Sequence, residues 1–213
     1  KACSGGFVTE ETIHFAAAAE LIHNATLLHD DVADNSPVRR GEPTVMSLLG
    51  GRASVLLGDY WLVKGIESVL SVNTFSGKVI RIFSNTLSDL AEGELLQLQK
   101  ADTCDTTESD YYRIIYNKTA SLFVASANTA AISVSASDEK RKAAKLYAEC
   151  LGIAFQIKDD IFDYEGGDLT GKPSGLDLEE RKITLPLLGA FVNAGEDMEK
   201  EIRALVARAD EDA

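Results

Sequence analysis

The stretch Glu20-Leu21-Ile22-His23-Asn24-Ala25-Thr26-Leu27-Leu28-His29-Asp30-Asp31-Val32-Ala33-Asp34 carries the pattern that decides the fold. Its apolar residues recur at helical spacing, and it ends in three carboxylates. A second stretch, Phe155-Gln156-Ile157-Lys158-Asp159-Asp160-Ile161-Phe162-Asp163, repeats the same i, i+1, i+4 arrangement of aspartates late in another apolar helical pattern. On a helix, residues four apart lie one above the other on one face, so Asp30 and Asp34 project side by side, as do Asp159 and Asp163. Clustered carboxylates repel one another unless a counter-charge is present. Hard oxygen donors without thiolates, and with few imidazoles, point to Mg²⁺ rather than zinc. An EF-hand is excluded, because its 12-residue loop with a central glycine is missing. Two clusters of identical spacing, both flanked by apolar sequence, argue for two metal-binding walls facing one cavity rather than two solvated helix ends.

Working outward, helical patterns follow one another. The first helix starts from an N-cap at Thr9, with Glu10 and Glu11 in its first turn, and reaches about residue 34. After a polar break over 35–43, helices are predicted over 44–50, 52–70 and 78–99, with Gly77 as an interruption and 101–107 as a loop. Thr107 and Asp110 form a capping-box-like start to a helix running to about 133. Another spans 138–163 and ends at Gly166-Gly167. A loop rich in Gly, Lys and Asp covers 165–182, and the tail is helical again. Alternating strand patterns and fixed-period repeats are essentially absent, so the fold class is all-α, a helical bundle.

Composition narrows the chemistry. The chain has 213 residues, 45% of them hydrophobic, which suffices for a substantial single core. With 34 acidic against 21 basic residues it carries a formal charge of −13, which disfavours nucleic acid as a partner. An anionic substrate must be met by metal ions or by a few placed cations. Arg39-Arg40-Gly41 follows the first cluster, and two adjacent guanidiniums suit phosphate oxygens. Lys172 and Lys182 follow the second, and Lys118-Thr119 interrupts an otherwise apolar helix. Each basic residue alone reads as a surface charge; as a set beside two acidic clusters they read as a diphosphate cradle. Cys3, Cys104 and Cys150 are widely spaced and outside any CxxC pair, as expected of a reduced, cytoplasmic protein. No apolar run approaches the roughly 20 residues of a membrane span.

These motifs resemble the trans-isoprenyl (polyprenyl) diphosphate synthases. Residues 20–41 look like the family's first aspartate-rich motif and 155–163 like its second. Gly58-Asp59, Lys118-Thr119, Gly171-Lys172-Pro173 and Lys182-Ile183-Thr184-Leu185-Pro186 stand in the family's order. The resemblance implies an isoprenoid synthase-type bundle around a central cavity, one polyprenyl synthetase domain over 1–213. It implies an enzyme that adds isopentenyl diphosphate to an allylic diphosphate. Asp30, Asp34 and Asp159 would be the main Mg²⁺ ligands, three ions per site, with Asp31, Asp160 and Asp163 supporting them directly or through water. Arg39, Lys118, Thr119, Gln156, Lys172 and Lys182 would hold the allylic diphosphate, and His23 and Arg40 would face isopentenyl diphosphate. A homodimer is the family expectation. The family's GGKxxRP motif has no match before Lys1, where Ser4-Gly5-Gly6-Phe7 lacks the basic residues. Its last helices likewise have no match after Ala213, so the domain is expected to be truncated at both ends.

In the family, aromatic side chains four and five residues before the first motif close the cavity for short products. Thr26 and Ala25 stand there, which implies a long-chain product; the small residues over 16–19 fit tunnel lining and close helix packing alike. Tyr60, Trp61, Tyr111 and Tyr112 read as core or dimer contacts, Glu92 and Glu94 as solvated or structural, and His14 as surface or core. Two other protein classes share part of this pattern. A terpene cyclase shares the bundle and metals but normally carries a degenerate second motif and lacks Arg-Arg-Gly after the first. A non-catalytic regulatory subunit of a heteromeric prenyl synthase usually loses one aspartate motif, and both are intact here.

Overall fold

The computed structural model describes residues 1–165 and 175–209, and it is helical, as the sequence predicts. In chain order the elements are α1 (Glu10–Ala33), a ribbon of β1 (Val38–Arg39) and β2 (Glu42–Pro43), α2 (Val45–Leu49) and α3 (Gly51–Leu70). Then come α4 (Ser76–Thr103), α5 (Glu108–Ile115), a π-helical turn over Tyr116–Ala120, α6 (Ser121–Ser133) and α7 (Asp138–Glu165). Short α8 (Leu176–Glu179), α9 (Leu185–Ala194) and α10 (Glu196–Val206) complete the described part. The residues gather into two compact units: Lys1–Thr86 with Leu122–Ala148, and Leu87–Ser121 with Glu149–Ala213.

In the first unit, α1 buries Phe15, Ala18, Ile22, Ala25 and Leu28, a stripe at three- and four-residue spacing. Thr9 closes a full capping box with Thr12, worth about 1 kcal/mol. The Thr12 hydroxyl also meets Ser133 Oγ at 2.6 Å, which ties the start of α1 to the end of α6. Small residues let α3 lie close against α1. Ser54 Oγ donates to the Leu28 carbonyl at 2.8 Å, and Gly58 leaves the space that the His29 ring fills. The end of α1 carries the first aspartate motif.

The second unit packs Cys104, Tyr111, Ile115, Ile183, Leu188, Phe191 and Val206 together, with Ile153 and Ile157 of α7 against them. Arg203 of α10 closes this core. Its Nη1 donates to the Cys104 carbonyl at 2.9 Å and its Nη2 to that of Thr106 at 3.2 Å. The guanidinium lies 4.4 Å from the Phe191 ring centroid. The second aspartate motif sits late in α7.

Four local expectations are corrected. Gly77 lies in the first turn of α4 and does not interrupt it, and α4 runs on to Thr103. There Lys100 pairs with Asp105 and Asp110, and Cys104 takes a left-handed φ of 50° that ends the helix. The break over 35–43 folds into a two-residue ribbon, because Arg40 (φ 54°) and Gly41 (φ 82°) both adopt the left-handed backbone of a tight hairpin turn. Part of the expected loop over 165–182 is α8, whose first amides are capped from a distance: Leu176 N and Asp177 N donate to the Asp163 carboxylate at 3.2 and 3.1 Å. The helix expected from 107 to 133 is split by the π turn, where the Ser121 amide bonds the Tyr116 carbonyl five residues back.

The π turn is seated against α4 at Gly93. A Cβ built there would come within 2.8 Å of both the Lys118 amide nitrogen and Asn117 Cβ. Gly93→Ala is therefore expected to lower stability by about 1–3 kcal/mol in thermal unfolding. Gly77→Ala, where a Cβ would meet nothing, should be neutral or slightly stabilising. Equal effects of the two substitutions would contradict this seating.

Candidate functional site

In the first motif the three aspartates differ in surroundings. Asp31 is buried, with 4% of its surface exposed, while Asp30 is half-buried and Asp34 is exposed at the helix end. Arg39 Nε donates to Asp31 Oδ1 at 2.6 Å. A buried carboxylate costs several kcal/mol unless it is paired, and the β1–β2 ribbon supplies the partner. The two arginines thus part company: Arg39 turns inward to Asp31, and Arg40 stands exposed at the hairpin tip. His29 Nε2 lies 3.2 Å from the Val55 carbonyl and 3.4 Å from Asp59. His23 is half-buried, and its carbonyl accepts from the Thr26 hydroxyl at 2.8 Å. Ala25 belongs to the fully buried stripe of α1, and Thr26 beside it is half-buried.

The second motif repeats the division. Asp160 is buried at 5% exposure, Asp159 is exposed, and Asp163 is half-buried. The Tyr111 hydroxyl donates to Asp160 Oδ2 at 2.5 Å, and Gln156 Nε2 donates to Oδ1 at 2.8 Å. Burial pushes the Asp160 carboxyl above its ordinary range, and these two donors pull it back. Thr119 Oγ1 in turn donates to Gln156 Oε1 at 2.7 Å. Lys118, beside Thr119 in the π turn, pairs with Glu94 of α4 at 2.5 Å. Lys182 pairs with Glu180. Lys172 lies outside the described residues.

The second unit thus brings together Thr119, Gln156 and Asp160, with Lys118 beside Thr119 in the turn and paired to Glu94, and the first unit joins Arg39 to Asp31. Two partners escaped the sequence reading. Tyr111 read as a core or dimer aromatic and Glu94 as solvated or structural, yet each bonds a predicted site residue. Gly93, the close-approach glycine beside Glu94, is the available signal for the π turn.

The donor set suits Mg²⁺. Among the described residues no three His, Cys, Asp or Glu side chains converge into a preformed cage. Each motif offers hard carboxylate oxygens, the donor type that Mg²⁺ takes.

The sequence model of the polyprenyl synthetase family matches residues 2–213. The chain belongs to that family. It is 40% identical over 202 residues to the octaprenyl diphosphate synthase of Escherichia coli (strain K12), covering 94% of this chain and 62% of that protein. It is 37% identical over 196 residues to a short chain isoprenyl diphosphate synthase of Methanocaldococcus jannaschii, covering 91% and 60%. Among solved structures, the heptaprenyl diphosphate synthase from Staphylococcus aureus aligns with a TM-score of 0.85 and 32% identity, over 96% of this chain and 63% of that one. The family and its all-α isoprenoid synthase fold are those the two aspartate motifs imply. The chain spans about three fifths of these relatives' length. Among the described residues no helix is long and apolar enough to cross a membrane.

Asp177 adds a pH dependence. Burial first, then the neighbouring Asp160 and Asp163 carboxylates, push its pKa up to about 7, while Lys182 opposes them. A raised carboxyl pKa means that the folded chain holds this proton more tightly than the unfolded chain. Its contribution therefore turns unfavourable as pH climbs from the ordinary 3.8 to about 7. In metal-free buffer Asp177→Asn should raise the unfolding temperature more at pH 8 than at pH 4. A shift equal at both pH values would contradict the assignment.

Proposed function

We propose that this chain forms the core of an Mg²⁺-dependent prenyltransferase, a polyprenyl diphosphate synthase. The reaction condenses isopentenyl diphosphate head to tail with an allylic diphosphate and releases diphosphate. The observation that carries the reading is the pair of aspartate motifs, each with its middle carboxylate buried and bonded. In the second unit that carboxylate is linked through Gln156 to the turn bearing Lys118 and Thr119. Family membership over residues 2–213 supports reading these residues as one domain and as this machinery.

Asp30, Asp34 and Asp159 would ligate Mg²⁺, with Asp31, Asp160 and Asp163 holding the motifs in shape. Bound there, the metal would neutralise charge on the diphosphate leaving group. Lys118, Thr119, Gln156, Arg39, Lys172 and Lys182 hold and orient the allylic diphosphate. The allylic C–O bond breaks with its electron pair going to diphosphate. The double bond of isopentenyl diphosphate, held at His23 and Arg40, attacks the allylic carbon. The proton lost from the new chain passes to the released diphosphate. The chemistry requires apolar walls that exclude the water which would otherwise capture the cation. Small side chains at Ala25 and Thr26 support a long all-trans product. Thr26 is the less buried of the pair, so it is the one we assign to the product path.

We further infer a homodimer. Leu56, Tyr60, Val63 and Leu70 form an exposed apolar stripe on the face of α3 turned away from α1, and a second copy of the chain fits such a stripe. Replacing Leu56 and Val63 with Glu should halve the mass seen in sedimentation velocity; an unchanged mass would place any interface elsewhere. Free Cys3, Cys104 and Cys150 support a cytoplasmic setting.

The deciding test uses the complete gene product with labelled isopentenyl diphosphate, farnesyl diphosphate and Mg²⁺, product length being read by chromatography. Elongation to long prenyl diphosphates is expected, with a loss of about a thousandfold or more in Asp30→Ala and in Asp159→Ala. A cyclic hydrocarbon would favour a terpene cyclase. Activity appearing only on mixing with a catalytic relative would favour a regulatory subunit.

A further inference from the structure

Tyr111 has no part in the chemistry above, yet it is only 2% exposed and spends its hydroxyl on the motif's buried carboxylate. The bonds around that carboxylate have a fixed direction. A carboxylate only accepts, and an amide donates only from nitrogen, so Gln156 must turn Nε2 to Asp160 and Oε1 to Thr119. Thr119 must then donate. A directed chain runs from Thr119 through Gln156 to Asp160 Oδ1, and Tyr111 meets the same carboxylate from α5 at Oδ2. The four groups come from α5, the π turn and α7. Tyr111 also lies one helix segment before the turn that carries Lys118 and Thr119.

We propose that Tyr111 is a positioning residue that couples cation binding at the second aspartate motif to allylic diphosphate binding at the Lys118–Thr119 turn. The proposal rests on the prenyltransferase reading. Without the hydroxyl, Oδ2 is a buried acceptor with no donor, and the carboxylate is driven to turn toward water. Gln156 follows Asp160, Thr119 loses its acceptor, and the aspartates on either side of the motif lose their fixed spacing. The hydroxyl itself is taken up by Asp160, so binding of isopentenyl diphosphate is left alone.

The test is Tyr111→Phe in the complete gene product, with Tyr112→Phe as the control. The Tyr112 ring packs edge-on to Tyr111 at 5.5 Å, and its hydroxyl is outside the chain of bonds described here. Three readouts are taken: the unfolding temperature in metal-free buffer, the rise in that temperature on adding Mg²⁺ with inorganic diphosphate, and elongation kinetics. In Tyr111→Phe, the Mg²⁺ concentration for half-maximal rate should rise about tenfold. The KM for the allylic diphosphate should rise, the KM for isopentenyl diphosphate should hold, and the thermal protection should shrink. Thr119→Val should act in the same direction, and the double variant should be no worse than the poorer single, because both cut one chain.

A Tyr111→Phe protein that unfolds earlier but keeps its Mg²⁺ requirement, protection and allylic KM would overturn the proposal, as would one that does not fold. Equal effects in Tyr112→Phe would also overturn it. Wild-type protein without elongation would defeat the prenyltransferase reading; equal protection of wild type and Tyr111→Phe would then defeat the coupling separately.

Discussion

A buried carboxylate in each aspartate motif sets the terms for the structure around it. Asp31 and Asp160 are drawn below the surface, while Asp30, Asp34 and Asp159 keep contact with solvent. Desolvating a carboxylate costs several kcal/mol unless donors meet it. The donors come from the β1–β2 ribbon for Asp31 and from α5 and α7 for Asp160. Arg39 reaches Asp31 because the chain turns back in a two-residue hairpin. Tyr111 and Gln156 reach Asp160 because α5 and α7 share one core. The buried aspartate is the anchor, and on the proposed reading its more exposed neighbours are thereby held in register for a cation.

Much of this was legible from residue types alone. The caps at Thr9 and Thr107, the period of α1, α3 and α7, and the duplicated aspartates are local signals, and the structure places those elements within a few residues of expectation. What escaped depends on contacts distant in sequence. The cap of α8 is the Asp163 side chain, more than ten residues upstream, so nothing near Leu176 announces a helix. The π turn leaves no mark in its own residues. Its trace lies in α4, where Gly93 makes room for the Lys118 amide and Glu94 pairs with the Lys118 ammonium. Tyr111 is apolar in pattern and polar in use, which a periodicity reading cannot separate.

The charge of the chain gains a physical sense from these pairings. A protein carrying −13 overall is a poor host for a diphosphate unless its few cations are placed and held. Arg39, Lys118 and Lys182 each have a carboxylate partner, in Asp31, Glu94 and Glu180. On the proposed reading, long flexible side chains are thereby confined before the diphosphate arrives, which lowers the ordering cost of binding an anion.

Anomalous diffraction from crystals holding Mn²⁺ and a non-hydrolysable allylic diphosphate analogue would reveal whether the aspartates of each motif divide the work between anchoring the helix and holding the metal. Metal density is expected against Asp30 and Asp34 and against Asp159, with Asp160 still bonded to Tyr111 and Gln156. Metal bound directly to Asp160, with the Tyr111 hydroxyl displaced, would contradict that division.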